Sequence, residues 1–523
     1  MIELPEQWRA AHVRDRQGVV AGNDPVPERR AGRVLAAFIL TGLVFVALPG
    51  TFLGVWNLLT ISSRHASTGA STAWIQSHGQ AQLLGWVGTF ILGISLYVLP
   101  KFLGRVSRRF SLMWIVWMLW TVGVVWRWWT GVYGTEWRVG LPASAILEFA
   151  AYVLAQYILW FDRGEKLANL LEADAKKSFP GDLASWLGVV GFATFGISLI
   201  LNLGICFQVA LHGAAPVYPP VADRIFLILA LWGFVIPVAW GYSTRFVTVF
   251  AGLAKPVQPA ARWLAAGVVA IAICAMARQF AAADILALTV ATGAVWALRV
   301  FLPSTKEPKR AGVYAHFPAF IRVAYGWLLT GAALGICADF APQLTGLGGA
   351  SRHALTVGFI AMLIFCVGPL ILPSFMNGRQ LFSSKVMAAS LWLLGLGCLL
   401  RVSSEAVAYS DGGIGWRILP ISAFTELAAV LLFVANLGLT LAQPKPAWFS
   451  SASVSPGMPV YFYVTSFPKT RRVLIESGLA TLGCCKEVPR TLTLEQAAAA
   501  DGVDVERLLA ALRKFFERRQ PRR

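Results

Sequence analysis

With 57% hydrophobic residues, 14% charged and a mean hydropathy of +0.63 over 523 residues, the chain is too apolar for a soluble globular protein, in which about a quarter of residues are charged. Apolar segments of helix length recur along it, and roughly 20 such residues cross a bilayer, so the composition specifies an integral membrane protein. The net charge of +19 then reads as topology-setting basic loops, because no basic–aromatic stripe for nucleic acid accompanies it.

Residues 1–33 form a polar, charged tail with no short apolar run, so no cleavable signal peptide is expected. Twelve spans follow, over approximately 34–60, 74–100, 110–131, 140–161, 186–207, 224–250, 263–277, 284–300, 318–338, 352–375, 386–401 and 418–442. The seventh and eighth are the shortest. A linker rich in Pro and Ser, 443–457, leads to a small helical domain over 458–523. There Thr493-Leu-Glu-Gln496 reads as a capping box, and Asp504 precedes a helix with Val505, Leu508, Leu509, Leu512, Phe515 and Phe516 at helical spacing. The fold class is thus an all-α integral membrane protein of about twelve transmembrane helices, with a small soluble helical C-terminal domain.

Lys and Arg are unevenly shared between the connections. Arg9, Arg14, Arg16, Arg29, Arg30 and Arg33 precede span 1, and the even connections hold Lys101, Arg105, Arg108, Arg109, Arg163, Lys166, Lys176, Lys177, Lys255, Arg262, Lys306, Lys309, Arg310, Arg379 and Lys385. The odd connections hold little besides Arg64, Arg138, Arg224, Arg278, Arg352 and Arg417. This bias puts both termini and the even connections in the cytoplasm of a bacterial inner membrane. Spans 2 and 10 then run the same way, and His78 and His353 share the outer leaflet.

The chain repeats itself. Placing Gly85 on Gly358 sets Leu99, Pro100 and Phe102 on Leu372, Pro373 and Phe375 without a gap. Leu141–Ala151 echoes Leu419–Ala429, and between them Gly123 and Arg127 correspond to Gly397 and Arg401. Spans 1–4 and 9–12 therefore read as two copies of one four-helix unit. Spans 5–8 form a fainter third, in which Ala222 and Arg224 stand where the histidines would be.

His78 and His353 are the candidate metal ligands. An ionisable residue inside a span is costly and faces a bundle interior or a bound group; the alternative is an interfacial histidine bonded to a neighbouring helix. In the alignment Gln80 matches His353 and Ser351 matches His78, an offset of two residues. Arg127, Arg278, Arg352 and Arg401 fall at outer span ends, where arginine suits a carboxylate through its planar fork or simply snorkels to the interface. Arg127 and Arg401 are singled out because they recur. Glu148 and Glu426 also recur, as proton relay, cation ligand or structural partner of an arginine. His65, His212 and His316 lie in or beside connections and read as surface residues, with His12 in the tail. Five cysteines (Cys206, Cys274, Cys337, Cys366, Cys398) are small core residues, and Cys484-Cys485 reads as a turn, or else as a metal or redox pair.

At these residues the chain resembles the NnrS family, twelve-span bacterial proteins described as containing haem and copper and linked to nitric oxide metabolism. The resemblance covers residues 30–445. More distantly the chain is similar to subunit I of haem–copper oxidases and nitric oxide reductases, in which spans 2 and 10 supply the two histidines of a low-spin haem. The resemblance implies a b-type haem on His78 and His353, with Arg127 and Arg401 toward its carboxylates. Copper is implied by the family, but spans 6 and 7 contain no histidine and no ligand set for it appears. Span 2 lacks the family's His-x-His-Glu beginning, and span 10 has Arg352-His353 where oxidases carry a second histidine. Residues 458–523 resemble a small domain of unknown function, matching at Leu474, Gly478, Cys484, Leu494, Ala497 and Leu508. The implied partners are the lipid bilayer, a small diatomic gas ligand and a redox partner subunit, with no nucleic acid. The implied function is nitric oxide metabolism, response or detoxification. A quinol-using electron-transfer subunit and a cofactor-free transporter or scaffold are the alternatives, and enzyme turnover is left open.

Overall fold

The computed structural model describes residues 25–443 and 454–517, apart from 103–104, 107–108, 162–164, 167–181, 311, 376–380, 412, 459, 461–462, 465–466, 468, 481 and 483–491. The tail to residue 24, Arg163, Lys176, Lys177, Arg379, most of the linker and Cys484-Cys485 lie outside the described residues.

Lipid offers no hydrogen-bond partner to a backbone, so each apolar segment closes its own bonds as a helix. Among the described residues, eleven helices are long and apolar enough to cross a membrane: α1 Arg30–Arg64, α2 Thr72–Pro100, α3 Phe110–Tyr133, α4 Trp137–Trp160, α5 Leu183–His212, α6 Pro220–Phe250, α8 Phe280–Leu298, α9 Phe317–Phe340, α10 Leu347–Pro373, α11 Ser384–Tyr409 and α12 Gly413–Ala442. The predicted seventh span is also a helix, α7, Ala260–Met276, with 17 residues. At 1.5 Å per residue it is about 26 Å long, at the short limit for a span. The turn from α7 to α8 is tight, with Arg278 at φ 61°.

Each helix packs on the next, and α12 returns to pack against α1, closing the bundle. Aromatic rings fill its centre. Phe195 of α5 stacks on Phe234 of α6 at 3.8 Å between ring centres, and Phe365 of α10 stacks on Phe433 of α12 at 3.9 Å. Trp120, fully buried, donates its indole N–H to Thr89 Oγ1 at 2.9 Å. Two short strands, β1 Arg105–Val106 and β2 Glu165–Lys166, pair antiparallel and tie the second connection to the fourth.

Among the described residues, five helices contain a π-helical segment: Val46–Phe52 in α1, Ala81–Gly88 in α2, Tyr157–Phe161 in α4, Leu229–Val235 in α6 and Ala354–Ala361 in α10. Such segments gather at functional sites. Those in α2 and α10 occupy the same residues of the Gly85–Gly358 alignment, each beginning just after its histidine. In α1 the segment contains Pro49, which lacks an N–H and disturbs the helical ladder.

The C-terminal region carries helices α13 Lys469–Glu476, α14 Leu494–Asp501 and α15 Val505–Glu517. The expected capping box forms, Thr493 and Gln496 satisfying each other's backbone N–H. Leu508, Leu509, Leu512 and Phe516 of α15 enter a separate core with Leu474, Leu482 and Leu494.

Candidate cofactor site

His78 sits one turn before the π-segment of α2, and its ring packs against α1. A Cβ on Gly54 would stand 2.5 Å from His78 Cε1, so only a glycine admits the imidazole there. His78 Nδ1 is 2.9 Å from the carbonyl oxygen of Gly50. A carbonyl can only accept, so Nδ1 carries the hydrogen and Nε2 keeps its lone pair in the neutral ring. Gln82, one turn further, donates to Thr51 Oγ1 at 3.1 Å and holds the same two helices together.

His353 ends the first helical stretch of α10. Its Nδ1 lies 3.0 Å from Gly349 O and 3.3 Å from Glu405 Oε2, both able only to accept, so its Nε2 is likewise left with a lone pair. Glu405 of α11 is buried, and Arg401, one turn before it, approaches the same Oε2 at 3.4 Å. His78, His353 and Arg401 fall within electrostatic reach of one another, and Glu426 of α12 lies within reach of His353, Arg401 and Glu405. The site therefore joins the first unit's α1 and α2 to the third unit's α10, α11 and α12. Three of its buried atoms, Arg401 Nη1, Glu405 Oε2 and Glu426 Oε1, have no hydrogen-bond partner.

Arg127 lies elsewhere, among residues on another face of α2. It is 1% exposed, and its guanidinium sits 4.6 Å above the ring of Tyr218. Glu148, fully buried, accepts from Gln80 Nε2 at 3.3 Å and from Asn202 Nδ2 at 3.1 Å. The Tyr218 hydroxyl donates to Asn202 Oδ1 at 2.5 Å and lies 3.0 Å from Cys206 Sγ. Arg127 Nε and Nη1 are buried without partners. Thus the structure brings His78, His353 and Arg401 together and sets Arg127 in a neighbouring polar cluster with Glu148. Each recurring glutamate rests on its own unit's recurring glycine: a Cβ on Gly123 would come 3.0 Å from Glu148 Cγ, and one on Gly397 would come 2.6 Å from Glu426 Cγ.

The middle unit has a third cluster. Arg224, at the position matched to the histidines, meets Asp284 of α8 at 3.2 Å and Asp339 of α9 at 2.5 Å, with Phe280 4.2 Å beneath its guanidinium. The remaining histidines stand apart: His65 is exposed and stacks on Trp416, His212 is exposed at the end of α5, and His316 is exposed beside Tyr314. Arg278 is exposed in its turn and Arg352 at the start of α10. Among the described residues, no group of three or more His, Cys, Asp or Glu is arranged to hold an ion.

Glu405 is the residue that sequence reasoning missed. Its signal was the spacing of four from Arg401, but the repeat hid it, because the first copy has Gly131 at that position. Asn202, Cys206 and Tyr218 carried no signal, since they reach the Arg127 cluster from the second unit.

A family model described as NnrS protein matches residues 35–445. No curated relative matches the sequence. Among solved structures, a haem–copper terminal oxidase determined as a dimer by cryo-EM is similar in fold, with a TM-score of 0.60 at 11% identity over 93% of this chain and 98% of that one.

Proposed function

This chain belongs to the NnrS family, and from that membership and its paired histidines we propose a membrane haem protein that handles or senses nitric oxide or a related diatomic. His78 and His353 would be the two axial ligands of a single b-type haem. The observation that carries this reading is that both imidazoles have Nδ1 held by acceptors, the arrangement that fixes a ring and offers Nε2 to a metal. Arg401 is the arginine we assign to the haem carboxylates: its Nη1 is buried and unpartnered, it shares Glu405 with His353, and a guanidinium binds carboxylate well. Arg127, with Nε and Nη1 also unpartnered, belongs to the Glu148 cluster and is left out of the ligand set.

When bound, haem supplies reversible one-electron chemistry and an iron that takes small diatomic ligands. The chain's own residues do the rest. Gly50 and Gly349 carbonyls set the tautomers, and Gly54 makes room for His78. No copper ligands are assigned, because the histidines outside the pair stand in or beside connections. The bias of Lys and Arg toward the even connections supports both termini on the cytoplasmic side of a bacterial inner membrane.

The oxidase-like fold favours one second reading, an electron-transfer subunit oxidising quinol. An optical spectrum of the detergent-purified protein tests the main reading. A six-coordinate low-spin spectrum is expected, its six-coordination lost in His78→Ala and in His353→Ala, and the spectrum of the wild type is shifted by nitric oxide. A protein from haem-replete cells with no Soret band would overturn it. Quinol oxidation, with and without nitric oxide or oxygen, separates the second reading.

A further inference from the structure

The two histidines are held by unlike partners. His78 Nδ1 faces a neutral carbonyl, Gly50 O at 2.9 Å, while His353 Nδ1 faces Gly349 O at 3.0 Å and also the buried carboxylate of Glu405 at 3.3 Å. The helix is shaped to bring that carboxylate in. A Cβ on Gly349 would overlap Glu405 Oε1, and one on Gly346, just before α10, would overlap the Glu405 backbone carbonyl oxygen, so Gly349 makes room for the carboxylate and Gly346 for the backbone that carries it. Gly131 takes the corresponding place in the first unit, and the Ser77 hydroxyl fills the space over it, so no carboxylate follows Arg127 as Glu405 follows Arg401.

Resting on the haem reading above, we infer that Glu405 is a positioning residue that makes His353 the strong, retained axial ligand and leaves His78 the exchangeable one. A carboxylate 3.3 Å from Nδ1, beside the Gly349 carbonyl that accepts its hydrogen, raises the ring's donor strength through its charge, which strengthens the metal bond and favours the oxidised metal. A backbone carbonyl does this more weakly. In the exchange, the bond from iron to His78 Nε2 breaks and Nε2 keeps its lone pair. Its Nδ1–H stays on Gly50 O, and a neutral diatomic fills the coordination position with a lone pair of its own. No proton or electron moves between the partners. The gas-binding face is thus the α1–α2 side, where the His78 ring packs on Gly54 and is held by a backbone carbonyl alone.

The test uses the full chain purified in detergent, with redox titration and carbon monoxide as the probe gas. Glu405→Gln should shift the haem equilibrium at least tenfold toward the reduced form, about 59 mV for one electron. Gly349→Ala, which displaces the carboxylate without removing it, should shift it the same way, and Glu405→Asp should return part of the shift. His78→Ala should keep its haem and bind carbon monoxide when reduced, whereas His353→Ala should lose haem. An unmoved potential in Glu405→Gln, or haem lost from His78→Ala and kept in His353→Ala, overturns this inference while leaving the bis-histidine haem standing. A wild type with no Soret band overturns the haem reading and this inference with it.

Discussion

Units one and three carry the same glycine, arginine and glutamate on corresponding helices and put them to different uses. In unit one, Glu148 has both oxygens satisfied by Gln80 and Asn202, while Arg127 lies over Tyr218. In unit three, Arg401 turns to Glu405, and Glu426 keeps an unpartnered oxygen. Three exchanges account for this: Gln80 against His353, His78 against Ser351, and Gly131 against Glu405. Even the exchanged residues keep the direction of the older contact. His78 bonds to the carbonyl of Gly50 on α1, and Ser351 donates to the carbonyl of Gly331 on α9 at 2.8 Å. A duplicated frame thus fixes where side chains point, and single substitutions on it decide which copy holds chemistry.

The largest effect that would break this comparison is at the two arginines. Arg127→Leu removes a cation near the buried Glu148, and thermal unfolding in detergent should show a loss of about 1–3 kcal/mol. Adding Glu148→Gln should recover much of it, since no buried charge is then left alone. Arg401→Leu should cost less, because Glu405 keeps His353 beside it. Equal losses at both sites would mean that the two clusters do the same job.

Next come the glycines. Gly397→Ala and Gly123→Ala each crowd a glutamate, and overpacking of this kind costs about 1–3 kcal/mol. The Gly397 change should be the worse, its Cβ meeting Glu426 Cγ at 2.6 Å against 3.0 Å for Gly123 and Glu148. The reverse order in the same unfolding assay would show that the glutamates relax freely. The smallest effect is expected from Ser351→Ala, which deletes one hydrogen bond between spans, worth about 0.6 kcal/mol; a loss several times larger would give this serine a part beyond the duplicated contact.

Much of this was readable beforehand, for physical reasons. Hydropathy marked the spans, because the bilayer demands continuous apolar helices, and α7 was short in sequence as it is in structure. The Gly123–Arg127 and Gly397–Arg401 echoes were visible because a close helix approach leaves few residue choices. The π-segments were not readable, since Ala81–Gly88 and Ala354–Ala361 have ordinary helical composition. Nor was the separation of Arg127 from the histidines: which face of α2 meets which helix depends on how three units close into one bundle, and no local pattern encodes that.

A cryo-EM map of the purified chain tests the central claim most directly. The account predicts a flat density between α2 and α10 with both Nε2 atoms on one iron, about 4 Å apart at the usual imidazole–metal distance of about 2 Å each, and the Arg401 guanidinium at its edge. Imidazoles that point apart, or packed side chains filling the space between them, would contradict it.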